Sequence, residues 1–230
     1  MTHGRCRLCK AILSKATMAR HLRVCREKHA PRSLPGRLKD RVSVFHVMAE
    51  GRYAPEYWMH FEVPAAASLA DVDHFLREIW LECCGHLSAF SIHGKEYLSD
   101  TDDGYDDENV EGMDLSIGAV LEQENKFHHL YDFGTATELT LKIVARRDAS
   151  VRNRRIKLLA RNEPLAIPCE ACGNVAVWVC SQCLDGAVGW VCNKCAGQHD
   201  CGREMLLPVV NSPRVGMCGY TGAIEFPLND

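Results

Sequence analysis

The sequence predicts an α+β protein whose central β-β-α-β-β segment, of β-grasp-like kind, is flanked by two cysteine-rich zinc modules. Three observations predict it. Strand-like runs stand at Val42–Met48 and Tyr57–Val63, an apolar helical repeat follows from Leu69 to Cys83, and further strand-like runs lie at His86–His93 and Leu139–Ala145. The chain has 230 residues, 47% of them hydrophobic, enough for one or two domains with buried cores, which excludes wholesale disorder. No run approaches eighteen apolar residues, and Met1 to Arg7 leads into no apolar signal segment, so a soluble, cytoplasmic protein without a membrane partner is expected.

In chain order, residues 1–29 are expected to fold as a small C2HC zinc finger. Cys6 and Cys9 sit three apart and can form a knuckle, while His21 and Cys25, four apart within the helical stretch Thr17–Lys28, face one side. Thirty residues bury too little to fold alone, which makes metal the better account of these four side chains than free thiols beside a surface histidine. Residues 30–41 hold Pro31, Pro35 and Gly36 and read as a linker.

Residues 42–148 form the expected α+β domain. Between its first two strands a turn is signalled around Gly51 and Pro55. Ser68 and Asp71 then have capping-box spacing, each side chain able to satisfy the other residue's amide at the start of a helix. Leu69, Val72, Phe75, Leu76, Ile79 and Cys83 give that helix one apolar face over about four turns. The stretch 149–166, rich in arginine, is expected to link this domain to residues 167–230.

The tail, residues 167–230, carries Cys169, Cys172, Cys180, Cys183, Cys192, Cys195, His199 and Cys201, eight ligands for two zinc ions. Reach decides the pairing. The alternating stretch Asn174–Val179 carries the second knuckle roughly 23 Å from the first if straight, at about 3.3 Å per residue. Interleaved sites are therefore favoured over sequential ones: Cys169, Cys172, Cys192 and Cys195 in one, Cys180, Cys183, His199 and Cys201 in the other. Sequential pairing stays open if the strand is bent. With the head, about three structural Zn2+ ions are expected, each closed by four protein ligands and so with no position left for a catalytic water. Cys83, Cys84 and Cys218 are left over and are expected to be buried, inert thiols.

Charge is polarised along the chain. Residues 1–41 hold twelve Lys/Arg against two acids, whereas residues 71–141 hold seventeen acids against three bases, although the net charge is only −3. An anionic partner, DNA or RNA, is the expectation, with Arg5, Arg7, Lys10, Lys15, Arg20, Arg23 and Arg26 as phosphate contacts and Arg152, Arg154, Arg155 and Lys157 as a second strip. A protein partner docking on the tail module is the alternative. The acidic stretch Asp100–Glu111 has its glycine at the fifth position, where a calcium loop needs it sixth, so it reads as solvated surface.

No catalytic set is complete. His86, His93, His128, His129 and Asp132 can be assembled on paper into an acid–base or metal site, but no spacing fixes their geometry. There is also no phosphate loop, serine elbow or His-Glu-x-x-His motif. A non-enzymatic binding protein is expected.

Trp80-Leu81-Glu82 before His86-Leu87-Ser88-Ala89-Phe90, then Tyr131-Asp132-Phe133-Gly134, resembles the plasmid pRiA4b ORF-3-like family of transposon-passenger type. Leu207-Pro208-Val209-Val210-Asn211-Ser212-Pro213-Arg214 and Cys218-Gly219-Tyr220 are similar to its zinc-bearing branch. The resemblance spans roughly residues 42–222 and implies an α+β fold and association with mobile elements. In the commoner pattern Asp-Phe-Gly is followed by Asp, Trp and His, where this chain has Thr135, Thr137 and Leu139.

Overall fold

The computed structural model describes residues 2–29, 41–101, 108–121, 126–150, 155–183 and 189–223. The chain divides into two units, one of Met1–Phe75 with Leu87–Glu163, the other of Leu76–His86 with Pro164–Asp230. Both are mixed α+β, and sheet dominates.

The first unit opens with β1 (His3–Cys6), β2 (Ile12–Ser14) and α1 (Lys15–His29), followed by β3 (Arg41–Gly51), β4 (Trp58–Pro64) and α2 (Leu69–Leu76). Helix α2 runs into a π-helical turn, Arg77–Leu81, as the chain enters the second unit. Back in the first unit come β5 (Ser88–Ile92), β6 (Lys95–Leu98), β7 (Val110–Gly112), α3 (Ile117–Val120), β8 (Lys126–Tyr131), β9 (Thr137–Ser150) and β10 (Lys157–Asn162). The ten strands form one sheet in the order β2-β1-β10-β4-β3-β9-β8-β5-β6-β7, antiparallel throughout except for β6 beside β7. The runs expected as strands are strands, but the expected order lacked β8, which lies between β9 and β5, as well as β6, β7, α3 and the strands that widen the other edge.

Local chemistry accounts for the pieces. β4 is buried along its whole length, so both of its faces are covered, whereas β8 alternates and buries one face. The expected capping box is formed: Ser68 N–H donates to Asp71 Oδ2 at 2.8 Å and Asp71 N–H to Ser68 Oγ at 3.0 Å. Phe75 on α2 meets Phe61 on β4 with ring centres 4.9 Å apart, which lays the helix on the sheet. His93 and Gly94, both at positive φ, make the two-residue turn between β5 and β6.

The head is not a free-standing finger. β1 pairs with β10, so the stretch expected to be a basic linker supplies a strand of the sheet. Cys6, Met18, Leu22 and Cys25 share one apolar cluster with Trp58 of β4 and with Leu159 and Ala160 of β10. Trp58 Nε1–H also donates to Thr2 Oγ1 at 2.9 Å. The physical reason is size: so short a segment cannot bury enough apolar area by itself and borrows a tryptophan from its neighbour. Residues 30–40 of the expected linker lie outside the described residues.

The second unit holds β11 (Trp178–Cys180), β12 (Trp190–Val191), α4 (Asn193–Ala196), a 3-10 turn at Arg203–Met205 and β13 (Leu206–Pro208), with sheet order β12-β11-β13. One of its apolar clusters is small, built from Cys169, Val191, Cys192 and Ala196 with Trp178, Cys195 and Leu206 against it.

Candidate metal centres and basic surface

Four groups of Cys and His converge, each with its ligand atoms within 4.8 Å of one another: Cys6, Cys9, His21, Cys25; Cys169, Cys172, Cys192, Cys195; Cys180, Cys183, His199, Cys201; and Cys83, Cys84, His86, Cys218. The two tail groups have the interleaved pairing. Sulfur separations run from 3.4 Å for Cys183 to Cys201, through 3.6 Å for Cys172 to Cys192, to 3.8 Å for Cys6 to Cys25. A tetrahedral ion with metal–sulfur bonds of about 2.3 Å sets an edge of about 3.8 Å, while a disulfide would bring two sulfurs to about 2.05 Å. None of the thirteen cysteines is in a disulfide. The donor sets, thiolate with imidazole, suit a soft or borderline divalent metal.

The knuckles prepare thiolates. Burial pushes the Cys169 thiol up, but amide donors from Cys192, Ala171 and Cys172 outweigh it and bring its pKa down to about 6. Cys180 comes down to about 7, burial again being overcome by His199 and by the amides of Gln182 and Cys183. For Cys192 the Cys195 amide leads in lowering the pKa, and for Cys9 the Ala11 amide does. Two other thiols suffer from the crowding. Cys183 is pushed up to about 12 by its neighbour Cys201, and Cys195 to about 12 by Cys172. Several thiolates can share so small a volume only around a cation.

The fourth group corrects the expectation of inert buried thiols. Cys84 and Cys218 are exposed and Cys83 is half-buried, and the three converge on His86. Cys83 also leaves the expected helical face, because α2 gives way to the π-helical turn, which ends at Leu81. Sequence spacing missed the group because Cys83 and Cys84 are adjacent rather than three apart and Cys218 comes from far along the chain. The available signal was Cys-Cys-x-His beside an unassigned Cys218.

The four histidines and Asp132 do not converge on one site. His86 belongs to the fourth metal group, and His93 forms the β5–β6 turn. His129 is buried with Nε2 2.7 Å from Asp73 Oδ1, while His128 points to the other face of β8, 3.4 Å from Thr140 Oγ1. Asp132, at φ 67°, accepts the amides of Gly134 and Thr135 at 3.0 and 3.1 Å, so the Asp-Phe-Gly string shapes the turn between β8 and β9. A buried pair not foreseen is His46 and His60, with Nε2 to Nδ1 at 3.0 Å.

The basic residues divide into two classes. Arg5 is engaged by Glu163 at 3.0 Å, Lys15 by Glu50, and Arg26 by Glu62 at 2.6 Å. Arg7, Lys10, Arg20, Arg23, Lys28, Arg155 and Lys157 are exposed and make no ion pair among the described residues. Arg7 N–H donates to Leu159 O on β10 at 2.8 Å, so the head and the second basic strip are joined by one pairing of strands. Arg152 and Arg154 lie outside the described residues, as do residues 102–107 of the acidic stretch. No helix among the described residues is long and apolar enough to cross a membrane.

Comparison with known proteins bears on the centre of the chain. No curated protein matches it. Five solved chains do, among them the crystal structure of a protein of unknown function, MM3350, from Methanosarcina mazei Go1, with 15% identity and a TM-score of 0.42. The match covers 47% of this chain and 64% of that one, so this chain spans just under two thirds of that relative's length. The model of the plasmid pRiA4b ORF-3-like proteins matches residues 42–184, from β3 through the first four tail cysteines. The chain belongs to the plasmid pRiA4b ORF-3-like family.

Proposed function

We propose that the protein is a zinc-stabilised, non-enzymatic nucleic-acid-binding protein of the cytoplasm, associated with mobile elements. One observation carries the reading. The metal-knuckle head and the stretch that leads into β10 expose seven basic side chains, Arg7, Lys10, Arg20, Arg23, Lys28, Arg155 and Lys157, that form no ion pair with a carboxylate among the described residues. Arg20 and Arg23 stand three apart on α1 and face one side with Val24 and Glu27, a surface that can follow a phosphate backbone. In this reading the Cys/His groups hold zinc as scaffold, and the central β-β-α-β-β plan, widened at both edges, is the platform for the head. The zinc-bearing branch of the family is the branch this describes.

An electrophoretic shift at low salt tests it. Duplex DNA or RNA should be retarded, with log affinity falling linearly in log salt by about 0.9 for each phosphate engaged on B-DNA. Arg20→Gln and Arg23→Gln should each flatten that slope by about 1 and weaken binding alike for all sequences. Absence of any retardation overturns the proposal. It would favour instead a protein-docking adaptor, a reading that the exposed Val175 and Val177 of the tail support.

A further inference from the structure

We propose that Cys83, Cys84, His86 and Cys218 form a fourth zinc site, of Cys3His type, which staples the loop after the π-helical turn to the C-terminal segment within the second unit. The inference rests on the reading that the Cys/His groups hold zinc, and extends it to a group that no ligand spacing announces.

The distances already have the shape of a coordination shell. Cys83 Sγ lies 3.4 Å from Cys84 Sγ, which lies 3.8 Å from Cys218 Sγ; His86 Nε2 is 3.0 Å from Cys84 Sγ and 3.2 Å from Cys218 Sγ. These are edges of a tetrahedron about a zinc ion, and the sulfur–sulfur edges are far longer than a disulfide bond of about 2.05 Å. The backbone on both sides is bent to deliver them. Gly85 takes φ 78°, Cys218 φ 47° and Gly219 φ 68°, left-handed conformations that turn the chain back on itself, and Gly85 N–H is anchored on Glu82 Oε1 at 2.6 Å.

A second, independent observation is the charge beside the group. Arg214 is fully buried, and its Nη2 donates to Cys83 Sγ at 3.4 Å. A guanidinium is charged at any ordinary pH, and burying it is costly unless an anion is near. Zn2+ with three thiolates and a neutral imidazole carries one negative charge, which this arginine offsets. The segment bearing Arg214 is also held by neutral hydrogen bonds: Ser212 Oγ–H donates to Trp80 O at 2.6 Å and Ser212 Oγ accepts Arg214 N–H at 2.9 Å. The loop and the C-terminal segment are thus joined by hydrogen bonds at one point and by the convergent thiols at another.

Cysteine usage closes the argument. The thirteen cysteines fall into the four groups with none left over. Three sulfurs and one imidazole select zinc over calcium or magnesium, whose ligands are oxygens. Unlike the other three groups, this one has no buried ligand, so it should be the first to lose its ion to a chelator.

The test is zinc content per chain together with brief N-ethylmaleimide labelling of the native, full-length protein, read by intact mass. Four zinc ions and no rapidly labelled thiol are expected, with all thirteen labelled after denaturation in chelator. Cys84→Ser should drop the count to three and expose Cys83 and Cys218 to label. If that variant fails to fold, His86→Cys, which keeps four soft ligands, should fold with four ions, and His86→Ala should keep three. Three zinc ions in the natural protein overturn the fourth site, whether Cys83, Cys84 and Cys218 label at once as free thiols or only after reduction as a disulfide. No zinc at all, with thirteen reactive thiols, overturns the wider zinc reading along with it.

Discussion

Glu62→Gln should loosen the attachment of the head helix to the sheet. Glu62 lies on β4, its side chain only 4% exposed, and meets two arginines. Arg26 of α1 donates to Oε1 at 2.6 Å, and Arg147 of β9 grips both oxygens, Nε to Oε1 at 2.7 Å and Nη2 to Oε2 at 2.8 Å. Burial works against the carboxylate's charge, but the Arg147 hydrogen bonds and the charge of Arg26 outweigh it, and its pKa falls below the usual value. A depressed carboxylate pKa stabilises the fold at pH above the unfolded value, so at pH 7 the contribution is fully present, and it is lost as pH falls through the folded value. Removing one partner of a buried pair costs about 3–5 kcal/mol. Arg147 can still reach water, its side chain being 37% exposed, and glutamine keeps one acceptor, so about 2–4 kcal/mol is the expected loss. Urea unfolding at pH 7 with zinc present measures it. The double variant Glu62→Leu, Arg26→Met should lose less than the two single losses combined, because no buried charge is stranded. A loss under about 0.5 kcal/mol, or strict additivity, would show that the pair holds nothing.

Other outcomes follow from single contacts. A Cβ on Gly4 would sit 2.5 Å from Arg161 O and 2.5 Å from the Trp58 ring, so Gly4→Ala should part β1 from β10 and cost about 1–3 kcal/mol; unchanged hydrogen exchange at Arg7, whose amide donates to Leu159 O of β10, would contradict that. Ser68→Ala should cost about 1 kcal/mol in the same urea measurement by removing half of the capping box, and an unchanged midpoint would deny the cap its role. Burial, then the charges of Arg26 and Lys15, bring the His60 pKa down to about 4, so its neutral form stabilises the fold above the unfolded value near 6.5, and that stability drains as pH falls toward 4. The stability gap between the natural protein and His60→Gln should therefore narrow by up to about 1.4 kcal/mol per pH unit between pH 6.5 and 5, and a constant gap would refute the burial argument.

What could be read in the sequence was whatever is decided within one turn or one knuckle. The Ser68 and Asp71 pair is such a case, since both partners of the cap lie within four residues. So are the Cys-x-x-Cys pairs, whose spacing is set by the amides that one sulfur receives from the next residues. Reach along Asn174–Val179 was enough to favour the interleaved tail groups. What could not be read was whatever depends on strands distant in sequence. Nothing local shows that Trp58 completes the head's core, or that Lys157–Asn162 would leave a basic stretch to pair with His3–Cys6. The spacing of Cys83 from Ile79 fits a helical face. The π-helical turn and its exit at Glu82 break that period, and Cys83 becomes a neighbour of Arg214, 131 residues away.

The two units differ in what can hold them together, and that difference decides what chelation should do. The first unit has a continuous apolar interior: Val44, Val47, Phe61, Val63, Val72, Phe90, Phe127, Leu139 and Leu141 are all buried on or against one sheet. At about 1.5–3 kcal/mol for each large side chain, such a core persists without metal, and only the head, whose cluster includes Cys6 and Cys25, should loosen. In the second unit the cluster around Cys169 and Cys192 counts its own ligands as core, and β12 is two residues long. So little apolar area around these knuckles cannot offset the chain entropy of ordering β11, β12 and α4, so there the metal–thiolate bonds must supply the folding free energy. Stripping the protein with a chelator should accordingly leave the amides of β3, β4 and β9 protected from exchange while those of β11, β12 and α4 exchange freely. Equal protection in both units after metal loss would mean that the tail folds on packing alone, and the scaffold reading of its cysteines would fall.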